Sequence, residues 1–141
     1  MKIGFIGAGN MASAILRGMV RSKRFDPAVL SAFDTQAQKT AMLGEELGIG
    51  TSRSACELVE SCDTVVLAVK PNVFPVLLPE LREALKKRDA LVISIAAGKT
   101  IDYIEGLLGY DAAVIRIMPN INATVGAAMS AYCCSARVTD E

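Results

Sequence analysis

The sequence contains no histidine and no tryptophan. The lack of histidine excludes Ser–His and Cys–His catalytic pairs and every histidine metal site from this chain. The cysteines offer no substitute, because Cys56 and Cys62 lack the two-residue spacing of a zinc or redox motif and Cys133 and Cys134 are adjacent. We therefore expect no metal site, and four free thiols in a reducing compartment.

Net charge is also absent, since 15 Lys and Arg residues balance 15 Asp and Glu residues. A balanced surface creates no general field for polyanions, so we expect neither nucleic acid nor a membrane surface as partner. Any phosphate site must be local and built from backbone groups. No apolar run reaches the roughly 20 residues of a membrane span, and glycines interrupt the first run, which argues against an export signal. These features predict a cytoplasmic protein.

Short apolar runs alternate with amphipathic segments along the 141 residues, about the length of one domain. Helical periodicity predicts helices over 10–21, 35–47, 54–61, 73–87 and 100–108, the fourth interrupted near Pro79. Apolar runs predict strands over 2–6, 29–33, 49–51, 64–69, 91–95 and 113–117, with 127–133 as a weaker seventh candidate. Strands and helices in strict alternation predict an α/β fold with a doubly wound, mainly parallel sheet of six to seven strands.

The turn after the first strand has the pattern G-x-G-x-x-A over residues 7–12. Gly7 permits a tight turn, Gly9 lets the backbone approach a pyrophosphate, and the small Ala12 lets the helix pack near the strand. The N–H groups of Asn10 and Met11, with the helix dipole, would hold the anion. This turn predicts a dinucleotide-binding fold of the Rossmann type; the alternative is a turn with a purely structural role.

An acidic residue at the end of the second strand is the other element of such a site. Asp34 follows the predicted strand directly, 25 residues after Gly9. A carboxylate there accepts hydrogen bonds from both hydroxyls of the adenosine ribose. The alternative is that Asp34 caps the following helix.

Four stretches in register resemble the pyrroline-5-carboxylate reductase family over nearly the whole chain. They are residues 4–11 (GFIGAGNM), 68–71 (AVKP), 94–101 (SIAAGKTI) and 116–120 (RIMPN), followed by Val125, Gly126 and Met129. The resemblance implies the amino-terminal NAD(P)-binding domain, over residues 1–141, of an enzyme that reduces pyrroline-5-carboxylate to L-proline, the last step of proline biosynthesis.

The resemblance also implies which residues hold the cofactor. Residues near the pyrophosphate are Ile6, Gly7, Ala8, Gly9, Asn10 and Met11, and Asp34 meets the adenosine ribose. Residues beside the nicotinamide and its ribose are Ala68, Val69, Lys70, Pro71, Ile95, Ala96, Ala97 and Asn120. Structural alternatives stay open at the nicotinamide end. Lys70 could be a solvated charge, Pro71 a helix start, Asn120 a turn residue, and Ala96-Ala97-Gly98 a site of tight packing only.

The chain departs from the family in three ways. Residues 120–124 (NINAT) replace the usual Asn-Thr-Pro, the Asn that touches the adenine end near Ser54 and Ala55 is missing, and an acid occupies position 34. The resemblance implies a carboxy-terminal helical domain that forms the dimer and the substrate loops, and we expect that domain to lie outside residues 1–141. Thr139-Asp140-Glu141 resembles the first turn of a further helix, and we expect a domain boundary there.

No catalytic residue is assigned to this chain, because the sequence offers no convincing acid–base pair. Many members of the family use NADPH, which favours NADPH as the cofactor of this chain. Asp34 favours NADH instead, because the 2′-phosphate of NADPH would lie beside its negative charge. Arg53 offers a cation that could offset this repulsion. Two other functions stay open. One is a nucleotide-sensing module without catalysis, and the other is a different Rossmann dehydrogenase such as a β-hydroxyacid dehydrogenase.

Overall fold

The computed structural model describes residues 1–118 and 131–139, which contain a seven-stranded sheet in the order β3-β2-β1-β4-β5-β6-β7. The strands are β1 (Ile3–Ile6), β2 (Leu30–Phe33), β3 (Gly50–Thr51), β4 (Thr64–Leu67), β5 (Leu91–Ser94), β6 (Val114–Met118) and β7 (Ala131–Cys134). All neighbouring pairs are parallel except β6 and β7, which are antiparallel. The predicted mainly parallel sheet is confirmed.

Helices cover both faces of the sheet. They are α1 (Asn10–Arg21), α2 (Ala37–Leu47), α3 (Ala55–Ser61), α4 (Phe74–Arg88) and α5 (Ile101–Leu108). Buried residues of α1 and α2 join one apolar cluster, and those of α3, α4 and α5 join a second cluster on the opposite face. This is the doubly wound arrangement that the alternating pattern predicted.

The two central strands explain why the sequence shows uninterrupted apolar runs. Every residue of β1 and β4 is buried, because helices cover both faces. Gly4 lies where α3 crosses β1: a Cβ there would overlap the Leu58 side chain and come within 2.8 Å of Cys62 Sγ. Glycine at this position lets α3 pack directly on the sheet.

Helix ends follow local sequence signals closely. Gly48 and Gly109 end α2 and α5 in the left-handed conformation at φ 73°, as expected of glycine after a helix. Thr100 caps α5 by accepting a hydrogen bond from the Tyr103 amide at 3.1 Å. The helix predicted over 35–47 begins later, at Ala37, because residues 34–36 form a turn.

The predicted interruption near Pro79 is wrong, because α4 runs without a break from Phe74 to Arg88 with Pro79 inside it. A proline in a helix interior removes one backbone hydrogen bond and crowds the preceding turn. The apolar face of α4 outweighs that cost. It buries Phe74, Leu77, Leu78, Leu81 and Leu85, each worth about 1.5–3 kcal/mol.

Residues 135–137, which follow β7, form hydrogen bonds with residues at the start of β6. The Ser135 hydroxyl donates to the Ala112 carbonyl at 2.8 Å and accepts from the Val114 amide at 2.9 Å. Arg137 donates to the Asp111 carbonyl and pairs with Asp89. The predicted seventh strand over 127–133 is found as Ala131–Cys134; residues 127–130 and the predicted helix start at 140–141 lie outside the described residues.

The four cysteines are free thiols, as predicted. Cys62 is buried, Cys56 is partly buried, and Cys133 and Cys134 are exposed on β7. Within residues 1–118 and 131–139, no helix combines the length and apolar character needed to cross a membrane.

Candidate cofactor site at the carboxyl edge of the sheet

Gly7 makes the turn between β1 and α1 possible. Its φ is +103°, a conformation that side-chain-bearing residues rarely adopt, and a Cβ there would lie 2.7 Å from the Ala68 carbonyl oxygen. The Gly7 amide donates to the Phe33 carbonyl at 2.7 Å, so the turn is held against the end of β2. Both the backbone angle and the close approach to β4 require glycine.

Gly9 is glycine for a different reason. Its φ of −75° and ψ of −171° are ordinary extended values that residues with a side chain also adopt. Apart from Gly9 and its two chain neighbours, no atom of the described residues lies within 4 Å of the position that a Cβ would take. The space in front of Gly9 is open, as a site for a bulky anion requires.

The amino end of α1 points its free amides toward that space. Gly9 is the N-cap and supplies no side-chain cap, and the first turn contains no acid. The first helical hydrogen bond runs from the Ser13 amide to the Gly9 carbonyl, so the amides of Asn10, Met11 and Ala12 precede any helical acceptor. Ala12 is almost fully buried, which fits its predicted packing role.

Ile6 and Ala8, which flank Gly7, are buried and fix the turn on the core. Asn10 is exposed and Met11 partly exposed at the mouth of the turn. The residues predicted around the pyrophosphate therefore do lie together at one place.

Asp34 connects the glycine-rich turn to the region after β2. Its Oδ2 accepts a 2.8 Å hydrogen bond from the Ala8 amide, and its Oδ1 accepts one of 2.8 Å from the Gln36 amide. The N-cap of α2 is Gln36, so Asp34 shapes the turn before the helix rather than acting as its cap residue. An ionised carboxylate has about four lone-pair sites, which leaves acceptor capacity for ligand hydroxyls.

A cleft opens beside Asp34, which we name the β2–β3 cleft; its volume is about 510 Å³. It is lined by Phe33, Asp34, Thr35, Ala37, Thr40, Ala41, Thr51, Ser52 and Arg53. The parallel register of Ala32 with Thr51 places the residues after both strands side by side. Among these lining residues, Asp34 carries the negative charge and Arg53 the positive charge.

Arg53 is bound to Glu57 at the start of α3. Its guanidinium lies 3.1 Å from Glu57 Oε1, and its backbone amide donates to Glu57 Oε2 at 2.6 Å. Ser54 caps α3 by accepting from the Glu57 amide, as in a capping box, but the Glu57 carboxylate accepts from the Arg53 amide rather than from the Ser54 amide. The backbone and side-chain hydrogen bonds from Arg53 lower the pKa of Glu57 below its usual value.

A second, smaller space of about 130 Å³ lies between the glycine-rich turn and the start of α4, and we name it the apolar slot. Its walls are Ile6, Gly7, Phe33, Asp34, Thr35, Val69, Val73 and Leu77. Sequence reasoning missed Val73 and Leu77, which looked like ordinary members of an apolar helical stripe. Only the 40% exposure of Val73, a large apolar side chain, distinguishes it, and sequence does not show that.

The residues predicted near the nicotinamide extend along the same edge of the sheet. The Ala68 amide donates to the Ile6 carbonyl at 2.8 Å, and Lys70 is exposed where the chain enters a 3₁₀ turn over Pro71–Val73. After β5, Ala96 is buried while Ala97 is exposed, and the Ala96 amide donates to the Ser94 hydroxyl. Ile95 is partly buried beside them, and Asn120 lies outside the described residues.

The carboxyl ends of β1, β2, β4 and β5 thus surround the amino end of α1, where ligands bind in open α/β sheets. A protein-family profile described as "NADP oxidoreductase coenzyme F420-dependent" matches residues 2–98. The chain belongs to this oxidoreductase family. The matched range contains every predicted cofactor residue except Asn120.

Proteins with similar sequences include several pyrroline-5-carboxylate reductases. The pyrroline-5-carboxylate reductase of Escherichia coli (strain K12) is 41% identical over 140 residues, which cover 99% of this chain and 52% of that protein. The chain therefore spans about half the length of the curated relatives it matches.

Solved structures agree with the sequence comparison. A pyrroline-5-carboxylate reductase from Coxiella burnetii superposes with a TM-score of 0.93 at 32% identity, over 99% of this chain and 51% of that one. The Plasmodium falciparum pyrroline carboxylate reductase, solved with NADP bound, gives a TM-score of 0.86 at 28% identity, over 99% and 50%. The predicted resemblance to this group of reductases is confirmed.

Proposed function

We propose that this chain is the cofactor-holding domain of a reductase that converts 1-pyrroline-5-carboxylate to L-proline with NADH or NADPH. The observation that carries the proposal is the turn at residues 7–12, where one glycine is required by the fold and the other leaves open space for an anion. The 41% identity to a pyrroline-5-carboxylate reductase over 99% of the chain supports the substrate.

The described residues fit a nicotinamide dinucleotide along its length. The amides at the start of α1 would hold the pyrophosphate, and Asp34 would accept hydrogen bonds from the adenosine ribose. The apolar slot, with Phe33 and Val73 in its walls, would shield the flat face of the adenine base. This assignment moves Val69, another wall of the slot, from the nicotinamide end that the resemblance implied to the adenine end. Ala68 and Ile95 would line the opposite end, where a small and an apolar side chain leave room for a ring against the sheet edge, and Lys70 lies exposed at its rim.

When bound, the reduced nicotinamide supplies the hydride, and the protein supplies binding and orientation. This chain positions the dinucleotide through fixed backbone groups that need no reorganisation. We assign the proton donor and the carboxylate-binding groups for the imine to a second, helical domain of the full-length protein, through which we also propose a homo-oligomer. We further propose a cytoplasmic location, consistent with four free thiols.

Cofactor binding tests the first half of the proposal. Emission anisotropy of NADH and NADPH should rise on titration with the chain, free from tryptophan emission because the chain has none. Imine-dependent oxidation of the cofactor by the full-length protein tests the second half. Binding without any imine reduction by the full-length protein would favour the nucleotide-sensing alternative instead. The relatives named above are pyrroline-5-carboxylate reductases, which favours this function over that of a β-hydroxyacid dehydrogenase.

A further inference from the structure

We propose that Glu57 sets the choice between NADPH and NADH by restraining Arg53, the residue that would receive a 2′-phosphate. This inference rests on the proposed cofactor-binding function. It concerns a pair of residues on the rim of the β2–β3 cleft that the cofactor motif itself does not include.

The charges that line the β2–β3 cleft are opposed. Asp34 lies at its inner end, where its carboxylate is anchored by the Ala8 and Gln36 amides. An anchored carboxylate stays in place and repels a phosphate on the ribose. Arg53 is the cation among the residues that line the cleft, and a guanidinium binds phosphate through two parallel hydrogen bonds.

The Arg53 side chain is 93% exposed, so its pair with Glu57, rather than packing against the core, restrains it. Its only ion-pair partner in the described part of the chain is Glu57, whose side chain is 43% exposed. An exposed pair of this kind is weak, equivalent to at most about a fivefold change in an equilibrium constant. A phosphate that binds Arg53 in the cleft must first break this pair, so the pair lowers the affinity for NADPH by a small factor.

Glu57 is not free to follow Arg53 into the cleft. Its carboxylate also accepts from the Arg53 backbone amide at 2.6 Å, and its own amide donates to the Ser54 hydroxyl at 3.1 Å. Glu57 is thus fixed at the first turn of α3. It acts on the ligand through Arg53, as a positioning residue rather than a ligand contact.

The experiment measures the dissociation constants of NADH and NADPH for the wild type, Glu57→Gln, Arg53→Gln and the double variant. Glu57→Gln keeps an oxygen that accepts the Arg53 amide but removes the charge. We expect it to raise the NADPH-to-NADH affinity ratio about twofold to fivefold, the size of an exposed ion pair. Arg53→Gln should lower NADPH affinity by about tenfold, as for a lost hydrogen bond to a charged group, and leave NADH unchanged.

The double variant tests whether Glu57 acts through Arg53. Its affinity ratio should equal that of Arg53→Gln alone, because Glu57 then has no cation to restrain. A ratio that still rises when Glu57 is neutralised would overturn the positioning role. Glu46→Gln is the matched control, since it breaks a similar exposed pair with Arg17 at 2.7 Å outside the cleft and should leave the ratio unchanged.

Loss of fold and loss of selectivity are separable. A structural defect at α3 would weaken NADH and NADPH binding equally and lower the urea midpoint, without moving the ratio. Normal binding of both cofactors with a ratio unmoved by Glu57→Gln would overturn this inference and leave the proposed function intact. Failure of the wild type to bind either cofactor would instead overturn the proposed function.

Discussion

The backbone amide of Ala8 donates a 2.8 Å hydrogen bond to Oδ2 of Asp34, which joins the glycine-rich turn to the residue that follows β2. One side chain thus takes part in both halves of the cofactor site. Its charge affects the ligand, and its hydrogen bond affects the shape of the turn. These two effects can be separated by substitution.

Asp34→Ser should reduce the preference for NADH. We expect the wild type to bind NADH better than NADPH and the gap to shrink by about 1–2 kcal/mol, because the serine removes the charge that opposes a 2′-phosphate. Asp34→Asn is the control, since its amide oxygen can still accept from Ala8 while the charge is gone. A wild type that prefers NADPH, with no change on either substitution, would leave Asp34 a structural role only.

Substitutions at the two glycines of the turn should affect different properties: Gly7→Ala the stability of the fold, and Gly9→Val the binding of the cofactor. Gly7→Ala should lower the free energy of unfolding by more than about 1 kcal/mol, because φ is positive and the new Cβ would crowd Ala68. Gly9→Val should leave the urea midpoint nearly unchanged but abolish cofactor binding, because valine would fill the open space. A folded Gly9→Val protein with normal NADH affinity would remove the pyrophosphate assignment.

Replacing Pro79 should stabilise the protein. Pro79→Ala restores a backbone hydrogen bond inside α4 at an exposed position. The expected gain is about 1–2 kcal/mol, the roughly 3 kcal/mol cost of interior proline reduced by the greater freedom of the unfolded chain. Pro75→Ala, in the first turn where no helical bond is lost, should bring no such gain. Urea unfolding of the three proteins decides, and an unchanged or lower midpoint for Pro79→Ala would contradict the expectation.

The ion pair between Asp63 and Arg88 should make the free energy of unfolding depend on pH in the acidic range. Asp63 accepts from the Lys2 amide at 2.8 Å and pairs with Arg88 at 2.6 Å, and the Lys2 hydrogen bond followed by the Arg88 charge lowers its pKa below the ordinary 3.8. A lowered pKa stabilises the fold above the ordinary pKa and loses that effect as pH falls through the folded value. Asp63→Asn should therefore be less stable than wild type at pH 7, and the difference should narrow below about pH 4. A difference in urea midpoint that is the same at pH 7 and pH 3 would argue against this.

The 141-residue chain alone should bind cofactor but reduce the imine far more slowly than a typical enzyme, about 10 per second. The proposed substrate-binding groups lie outside this chain, and positioning supplies much of such a rate. Cofactor oxidation with the imine, followed for the chain and for the full-length protein, is the measurement. Comparable rates would show that residues within this chain hold the substrate.

Local patterns predicted most elements well, since apolar periodicity and capping signals are properties of neighbouring residues. Helix α1 matches its predicted bounds, and Gly48 and Gly109 end their helices as expected. The interruption predicted at Pro79 is wrong because the sequence shows the local cost of a proline in a helix. The burial that offsets this cost depends on the packing of a whole helix face, which the local sequence does not show.

Only the part of the site that depends on neighbouring residues could be predicted from the sequence. The glycine turn is contiguous in sequence and was found from it. The β2–β3 cleft depends on the register that sets Thr51 beside Ala32, and the contact between Ala8 and Asp34 joins residues 26 apart. Such pairings follow from the assembled sheet, which is why the roles of Glu57 and Val73 emerged only from the structure.

The order of the strands has a consequence for the protein during its synthesis. β1 precedes the other described strands of this sheet in the chain, yet it is buried between β2 and β4, and its register pairs Ile3 with Thr64, 61 residues later. At about 5–20 residues per second, this apolar strand waits roughly 3–12 s for its second neighbour. During that interval one edge of β1 is open to other chains. We therefore expect nascent chains stopped before residue 64 to bind chaperones or aggregate, and chains extended past β5 to resist protease.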